Sequence, residues 1–118
     1  MNIRNYRDLS ENNNPHGIKS HKLYDQEHGV INHLYLKPGE SLKPHITPVD
    51  VAFYVLEGNP AILVGEEKIQ VKADDLIESP KNIVHCIYNE TEREARVLVM
   101  KLPKPTQATK FINNVGKK

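Results

Sequence analysis

The chain has 118 residues, the size of one domain, and its composition argues against several classes of function. Its 16 Lys and Arg residues against 15 Asp and Glu residues give a formal net charge of +1, which favours neither a nucleic-acid partner nor an electrostatic membrane anchor. No apolar run approaches the ~20 residues that span a bilayer, and the single cysteine, Cys86, excludes an intrachain disulfide. We therefore expect one domain, located in the cytoplasm, with no nucleic-acid and no membrane partner.

Short apolar or alternating runs recur between turn residues along most of the chain, and no stretch has apolar residues at the period of a helix. This pattern predicts nine strands, over residues 18–24, 30–37, 41–47, 51–57, 61–65, 67–72, 75–79, 83–89 and 95–101. In the connection at 65–67 we expect a tight hairpin in which Gly65 has a positive φ. Many short strands at regular spacing are typical of an all-β sandwich or barrel.

The two ends of the chain differ from its middle. Residues 1–15 are polar, and the last segment, PKPTQATKFINNVGKK, carries two prolines and four lysines. We therefore predict a single domain over 1–118 with a core at about 18–103 and irregular or docked tails at 1–15 and 104–118. Phe111 and Ile112 could anchor the last segment across this core, and a disordered end is the alternative.

Two of the predicted strands, 51–57 and 95–101, have apolar residues at successive positions, so each is apolar on both faces. A sheet with one solvated face does not need this pattern. The second face must be covered by another sheet, by the tails or by a second copy of the chain. Of these we favour a homodimer, because closed two-fold assembly is the commonest among small soluble domains.

Two groups of residues fall at the spacing of a known pair of motifs. In the stretch PGESLKPHITPVDVAFYVLEG, residues 38–58, the first group comprises Gly39, His45 and Gly58. The second group comprises Pro80, His85 and Asn89. With these residues the chain resembles the cupin superfamily from about residue 30 to residue 103. The resemblance implies a cupin-type double-stranded β-helix, that is, a jelly-roll barrel.

Four positions of the two motifs carry other residues. Thr47 stands where the family has its second histidine, and Val51 stands where it has a glutamate. Asp74 and Asn82 stand at two glycine positions, and Asn is the next best residue after Gly for a positive φ.

His45 and His85 keep two of the family's four usual metal-ligand positions. A divalent first-row metal (Fe, Mn, Zn, Ni or Cu) is bound by neutral imidazole and carboxylate groups that converge from facing strands. Because side chains alternate along a strand, Thr47 shares the inward face of His45, and His85 comes from another strand. One hypothesis is a metal held by His45 and His85, with water or Thr47 completing the shell. The alternative is a pair of interior histidines hydrogen-bonded to each other, to water or to a small ligand.

Asp50 is the candidate for the missing carboxylate. In a regular strand it points opposite to Val51 and out of the barrel, but Pro48 just upstream often accompanies a bulge that would swing Asp50 inward. The alternative is a solvent-facing Asp at the start of a strand.

The alternation also places apolar side chains beside the two histidines. We expect the pocket to be lined by Val51, Phe53, Val55 and Ile87. A largely apolar lining is the usual character of a small-molecule site.

The other histidines and the cysteine lie outside this predicted site. His33 alternates with the inward Leu34, so we expect it at the surface or at a dimer interface. His16, His21 and His28 are expected mostly at the surface, and in a dimer His16 or His21 could approach the neighbour's barrel. Cys86 leaves the strand on the face opposite to His85 and is expected to be a small buried hydrophobe.

Three functions remain open from the sequence. The favoured one is a cupin-like barrel that binds a small molecule in its pocket, with or without a divalent metal at the two-histidine site. The second is a metal-dependent enzyme, which the resemblance would make a dioxygenase, isomerase or lyase acting on a small organic substrate. The third is a metal-free module that binds a sugar or an organic acid.

Overall fold

The computed structural model describes residues 1–112, which form two five-stranded antiparallel sheets packed face to face. The strands are β1 (Lys19–Gln26), β2 (Gly29–Leu36), β3 (His45–Ile46), β4 (Asp50–Glu57), β5 (Ala61–Val64), β6 (Glu67–Gln70), β7 (Leu76–Ser79), β8 (Val84–Tyr88), β9 (Ala95–Leu102) and β10 (Lys110–Phe111). The first sheet has the order β1-β2-β9-β4-β7, and the second has the order β10-β3-β8-β5-β6. The prediction of an all-β sandwich or barrel is confirmed.

Each of the nine predicted strands overlaps one of β1 to β9, and the main difference in length is at β3. This strand has two residues instead of seven, because Pro44 and Pro48 flank it and proline has no N–H to donate to a ladder. The tenth strand was not predicted. It pairs with β3 through Lys110 opposite Ile46 and Phe111 opposite His45.

One hydrophobic core fills the space between the sheets. Its most buried members come from β2, β4, β8 and β9, with 0–1% of their surface exposed, and include Leu36, Phe53, Ile87 and Val97. Burying an apolar side chain of this size contributes about 1.5–3 kcal/mol relative to leaving it exposed. Packing against this core therefore fixes the positions of β3 and β8, the strands that carry the two motif histidines.

Two turn positions explain how the chain replaces motif glycines. Asp74 has φ 73° and Asn82 has φ 64°, and they are the two non-glycine residues with positive φ in the described chain. Both residue types tolerate this left-handed region better than other side chains. The predicted hairpin at 65–67 is also present, with Gly65 at φ 63° and Val64 opposite Glu67.

Both ends of the described chain lie against the barrel. Tyr6–Asp8 form a 3-10 turn, and farther along the Asn12 amide donates to the Ser20 carbonyl over 2.7 Å. At the other end the Ile112 amide donates to the Pro44 carbonyl over 2.9 Å, which extends the pairing of β10. Residues 113–118 of the predicted second tail lie outside the described residues.

The outer face of the first sheet carries an apolar patch, which we call the outer patch. Ala52, Tyr54, Leu98 and Met100 are half-buried there, and Leu76 is 55% exposed. Among residues 1–112 no helix is long and apolar enough to cross a membrane.

Candidate functional site

His45 of β3 and His85 of β8 lie side by side inside one end of the barrel. They are directly opposite each other in the β3–β8 pair, and their Nε2 atoms are 3.1 Å apart. Both rings are buried, with 8% and 2% of their surface exposed. The structure therefore brings together the two histidines that the motif spacing predicted.

The hydrogen bonds around this pair fix the position of the proton on each ring. His45 Nδ1 lies 2.6 Å from the carbonyl oxygen of Lys43, which only accepts, so Nδ1 carries the proton and Nε2 of the neutral ring is an acceptor. His85 Nε2 must then donate to His45 Nε2. His85 Nδ1 is left as an acceptor, and the hydroxyl of Ser79 donates to it over 2.7 Å. The result is a directed chain from Ser79 through His85 and His45 to a backbone carbonyl.

Thr47 and Ser79 are both buried against His85, each with 1% of its surface exposed. Thr47 Oγ1 lies 3.1 Å from His85 Nε2, which places it where the alternation predicted. Ser79 was missed. It lies directly opposite Val51 across the β4–β7 pair, so a prediction of that register would have placed it next to the site.

A cavity of about 300 Å³ is lined by His45 of the histidine pair, and we call it the barrel cavity. Its apolar wall includes Leu34, Leu42, Phe53, Val99 and Phe111. Its polar lining includes His16, Asn32, His45, Lys101 and Thr109. Strands of both sheets and both ends of the described chain contribute to this lining.

Of the four residues expected to line the pocket, Phe53 lines the barrel cavity, and Val51, Val55 and Ile87 do not. Val55 and Ile87 are 0% exposed, because they lie deeper, where the two sheets pack together. Val51 is 3% exposed, and its neighbour on β9, Lys101, extends into the barrel cavity instead.

His16 is a site residue that the motif spacing did not reveal. Its ring centroid is 5.0 Å from that of His45, and its Nδ1 accepts a 2.8 Å hydrogen bond from the Lys43 amide. The Nε2 of the neutral ring therefore carries the proton. We expected His16 at the surface or near a neighbour's barrel, and the structure places it half-buried at the cavity of its own chain. The sequence gives little indication of this position, because the docking of the first tail depends on contacts between residues far apart in the sequence.

The buried position of the three histidines lowers their pKa values. Burial, followed by repulsion from His45, lowers the pKa of His85 to about 3. Burial and repulsion from His45 also lower the pKa of His16 to about 4. The pKa of His45 itself is lowered, mainly by burial. All three rings are therefore neutral near pH 7, in agreement with the proton positions given by the hydrogen bonds.

Lys101 is the second site residue that sequence reasoning missed. Its position on β9 faces inward, between Val30 of β2 and Val51 of β4. Burial, with a smaller contribution from the charge of Lys22, lowers the pKa of the Lys101 ammonium. The sequence contains a signal for this position, because Val97, Val99 and Lys101 are two residues apart along the strand and therefore share its inward face.

Asp50 does not join the site, so the inward swing that we considered is not observed. The strand is regular at this point, with Asp50 opposite Leu102 and Val51 opposite Lys101. Without a bulge, Asp50 stays on the outward side, where its Oδ1 accepts a 2.9 Å hydrogen bond from the Lys81 amide and its side chain is exposed.

The donor set beside the barrel cavity does not fit a resident transition metal. Such a metal needs three or four protein ligands, and no group of three or more His, Cys, Asp or Glu side chains able to hold one occurs among residues 1–112. His45 and His85 supply two imidazoles, and Thr47 and Ser79 add neutral hydroxyls. The nearby ring of His16 has its Nδ1 occupied by the Lys43 amide and forms no metal-binding group with them. The ammonium of Lys101 also faces the same interior, where it repels a cation.

A second histidine cluster lies on the outer face of the first sheet, and it corrects our expectation for His33 and His21. These two residues are opposite each other in β1 and β2 and are only 1% and 7% exposed. Tyr6 covers them, with its ring stacked on His33 at a centroid distance of 3.7 Å. Burial, followed by repulsion from Arg96, lowers the pKa of His33 to about 4. His28 is exposed, as expected.

Cys86 has the character that its sequence context predicted. The side chain is 0% exposed, and the thiol donates to the Leu42 carbonyl over 3.1 Å. Burial raises the pKa of the thiol to about 11, so it is protonated and not a nucleophile near pH 7.

Comparison with known proteins agrees with this geometry. The family model described as "Cupin domain" matches residues 26–101, which is more than half of the chain. The chain belongs to the cupin domain family. This cupin is 31% identical over 71 residues to the tetracenomycin polyketide synthase protein TcmJ of Streptomyces glaucescens. The match covers 59% of this chain and 48% of that protein, so the cupin spans about half the length of the curated relative.

Solved structures show the same fold. The protein TT1209 of Thermus thermophilus is 27% identical, with a TM-score of 0.76, and the match covers 89% of this cupin and 100% of that chain. The polyketide cyclase RemF of Streptomyces resistomycificus is 20% identical, with a TM-score of 0.81 and coverage of 95% and 85%. A Klebsiella pneumoniae protein with a double-stranded β-helix domain is 15% identical, with a TM-score of 0.80 and coverage of 96% and 98%. The predicted cupin-type double-stranded β-helix is confirmed.

Proposed function

We propose that this cupin binds a small organic molecule in the barrel cavity and needs no metal to do so. The observation that supports the proposal is the combination of apolar lining residues, which include Phe53 and Val99, with a few polar groups, which include His45 and Lys101. This combination is the usual character of a small-molecule pocket, in which apolar burial supplies affinity and polar groups fix the orientation. A volume of about 300 Å³ is at the small end of the range for such pockets, so we expect a compact ligand.

The test is a fragment screen with neutral, anionic and cationic molecules, in which protein-observed NMR detects binding. We expect hits to shift the resonances of Phe53 and His45 and to compete with one another for one site. Thr109 lines the cavity, so Thr109→Trp should block it and abolish these shifts. A library without hits at these resonances, or hits that bind Thr109→Trp equally well, would contradict the proposal.

The competing hypothesis is a metal-dependent enzyme such as a dioxygenase, isomerase or lyase. It requires His45 and His85 to share a divalent metal (Fe, Mn, Zn, Ni or Cu), although residues 1–112 contain no group of three His, Cys, Asp or Glu side chains able to hold one. Metal analysis of protein purified without a histidine tag, together with titration of Zn²⁺ and Ni²⁺, separates the two. Stoichiometric metal that is lost in His45→Ala/His85→Ala with the fold retained would favour the enzyme.

A second candidate function is action on a polyketide-derived molecule, and the relation to TcmJ is the observation that favours it. Because the match covers about half of TcmJ, the similarity alone does not give this cupin the activity of that protein. An aromatic polyketide included in the fragment screen tests this candidate, and we expect the small cavity to favour smaller ligands.

We further infer that two copies of the chain associate through the outer patch. The support is an apolar face that the described residues leave partly exposed. A cytoplasmic location stays a prediction, to be checked by cell fractionation.

A further inference from the structure

Lys101 gives the barrel cavity a positive charge, and residues 1–112 provide no counter-ion for it. Among the lining residues of the described chain it is the only Lys, Arg, Asp or Glu, and no carboxylate of residues 1–112 forms an ion pair with it. Its inward position between Val30 and Val51 places the side chain among apolar neighbours. A partly desolvated ammonium without a partner is unfavourable, so an anion in the cavity would gain more here than at the surface.

Asn32 offers a second polar group in the same cavity. Its Oδ1 is buried and has no hydrogen-bond partner among residues 1–112, although it lines the cavity. A buried acceptor without a donor is unfavourable, and a ligand hydroxyl would satisfy it. Asn32 is opposite Val99 and Lys101 is opposite Val30, so Asn32 and Lys101 are diagonal neighbours on adjacent strands of the inward face. One small ligand can reach both.

His16 is a third polar group that lines the cavity. Its Nδ1 is occupied by the Lys43 amide, so the remaining N–H, on Nε2, is a donor. His16 and Lys101 both line the barrel cavity. A carboxylate has two oxygens and can accept from an ammonium and an imidazole N–H at once.

We propose that the ligand of the barrel cavity is a small hydroxycarboxylate, whose carboxylate binds Lys101 and His16 and whose hydroxyl donates to Asn32 Oδ1. The inference rests on the proposed small-molecule function and names the chemical class of its ligand. The apolar wall that includes Phe53 and Val99 then holds the hydrocarbon part of the molecule.

The test uses three probes that differ in one group each: mandelate, its neutral amide mandelamide, and phenylacetate, which lacks the hydroxyl. Calorimetry or ligand-observed NMR gives their dissociation constants for the full chain. We expect mandelate to bind about tenfold or more tightly than mandelamide, because the Lys101 ammonium attracts a carboxylate more strongly than a neutral amide. Phenylacetate should bind several-fold more weakly than mandelate.

Variants assign the two preferences to their residues. Lys101→Met should bring the ratio between mandelate and mandelamide close to one, whereas Lys101→Arg should keep it. Lys68→Met, which removes a charge from a surface ion pair with Glu90, is the matched control and should change nothing. Asn32→Ala should remove the preference for mandelate over phenylacetate and keep the preference for anions. Circular dichroism checks the fold of each variant, and the ratios in the native protein test the proposal even if Lys101→Met does not fold.

Three results would overturn the anion site. These are equal affinity of the native protein for mandelate and mandelamide, an unchanged ratio in folded Lys101→Met, and no binding of mandelate by a cavity that binds neutral fragments. Each of them leaves the small-molecule function standing. A cavity that binds no fragment at all overturns both proposals.

Discussion

At the scale of single residues, Gly58 shows how closely β4 approaches the start of β9. A Cβ atom added at this position would lie 2.4 Å from the Glu94 carbonyl oxygen and 2.9 Å from the Ala95 Cα. The residue also has φ 86°, in the left-handed region. Both the backbone conformation and the lack of space therefore require glycine at this motif position.

Replacing Gly58 by alanine should lower the free energy of unfolding by about 2–4 kcal/mol. About 1–2 kcal/mol comes from the left-handed conformation, and the rest from moving the backbone away from the new Cβ. Gly39→Ala is the matched control, because Gly39 has φ 84° but no atom would lie within 4 Å of its added Cβ. We expect it to lose only the conformational part. Equal losses in chemical denaturation would show that the close approach is unimportant.

The positions of the ring protons of His85 and His45 distinguish a hydrogen-bonded pair from a metal-bound pair. The hydrogen bonds predict a proton on Nδ1 of His45 and on Nε2 of His85. If both Nε2 atoms held a metal, both rings would carry the proton on Nδ1. Long-range ¹H–¹⁵N NMR near pH 7 distinguishes these forms. A proton on Nδ1 of His85 in protein that has been exposed to Zn²⁺ would contradict the hydrogen-bonded chain.

At the scale of elements, the segment around the 3-10 turn covers the outer face of β1, β2 and β9. Tyr6 stacks on His33, and Arg96 donates to His33 Nε2 over 3.1 Å and to Glu57 over 2.8 Å. The segment has no buried residue of its own in the turn, so its contact with the sheet depends largely on this one ring.

Replacing Tyr6 by alanine should uncover His33 and lower the free energy of unfolding by about 1–2 kcal/mol, because a stacked pair and its burial are lost. The pKa of His33, lowered to about 4 mainly by burial, should rise toward its usual value of 6.5. Denaturation and an NMR pH titration measure the two effects. Ile3→Ala, at a position that is 81% exposed, is the control. An unchanged pKa of His33 in Tyr6→Ala would mean that Tyr6 does not keep water from the ring.

The strands and the paired histidines could be predicted because their signals are local. Alternation places Thr47 with His45, and motif spacing pairs His45 with His85, which lie opposite each other in the β3–β8 register. Lys101 and His16 were missed because they enter the cavity from β9 and from the first tail, and sequence alone does not give that packing. Asp50 was considered inward because proline permits a bulge without requiring one.

At the scale of the whole molecule, the outer patch is where a second copy should bind. Tyr54 lies between Leu76 and Leu98 in register, which makes a continuous apolar row across β7, β4 and β9. We expect a homodimer by light scattering, and Leu98→Arg should give a folded monomer, because a charge at the centre of an apolar interface is unpaired. Ile69→Arg, on β6 and 57% exposed, is the control and should stay dimeric. A monomeric native protein would contradict the prediction.

The stability of the whole molecule should fall in mild acid. His33 and His85 have pKa values of about 4 and about 3 in the folded chain, against a usual 6.5. Because the unfolded chain binds protons first, their stabilising contribution is complete above about pH 6.5 and is lost as the pH falls toward the folded values. Between about pH 7.5 and about pH 5, above the range where most carboxylates titrate, each buried histidine should cost about 1–2 kcal/mol. Urea denaturation across this window measures the slope of the free energy of unfolding against pH, which gives the number of protons bound on unfolding. His33→Leu should reduce this number by about one. A free energy of unfolding that stays constant across the window would mean that these rings bind protons equally well in the folded and unfolded chain.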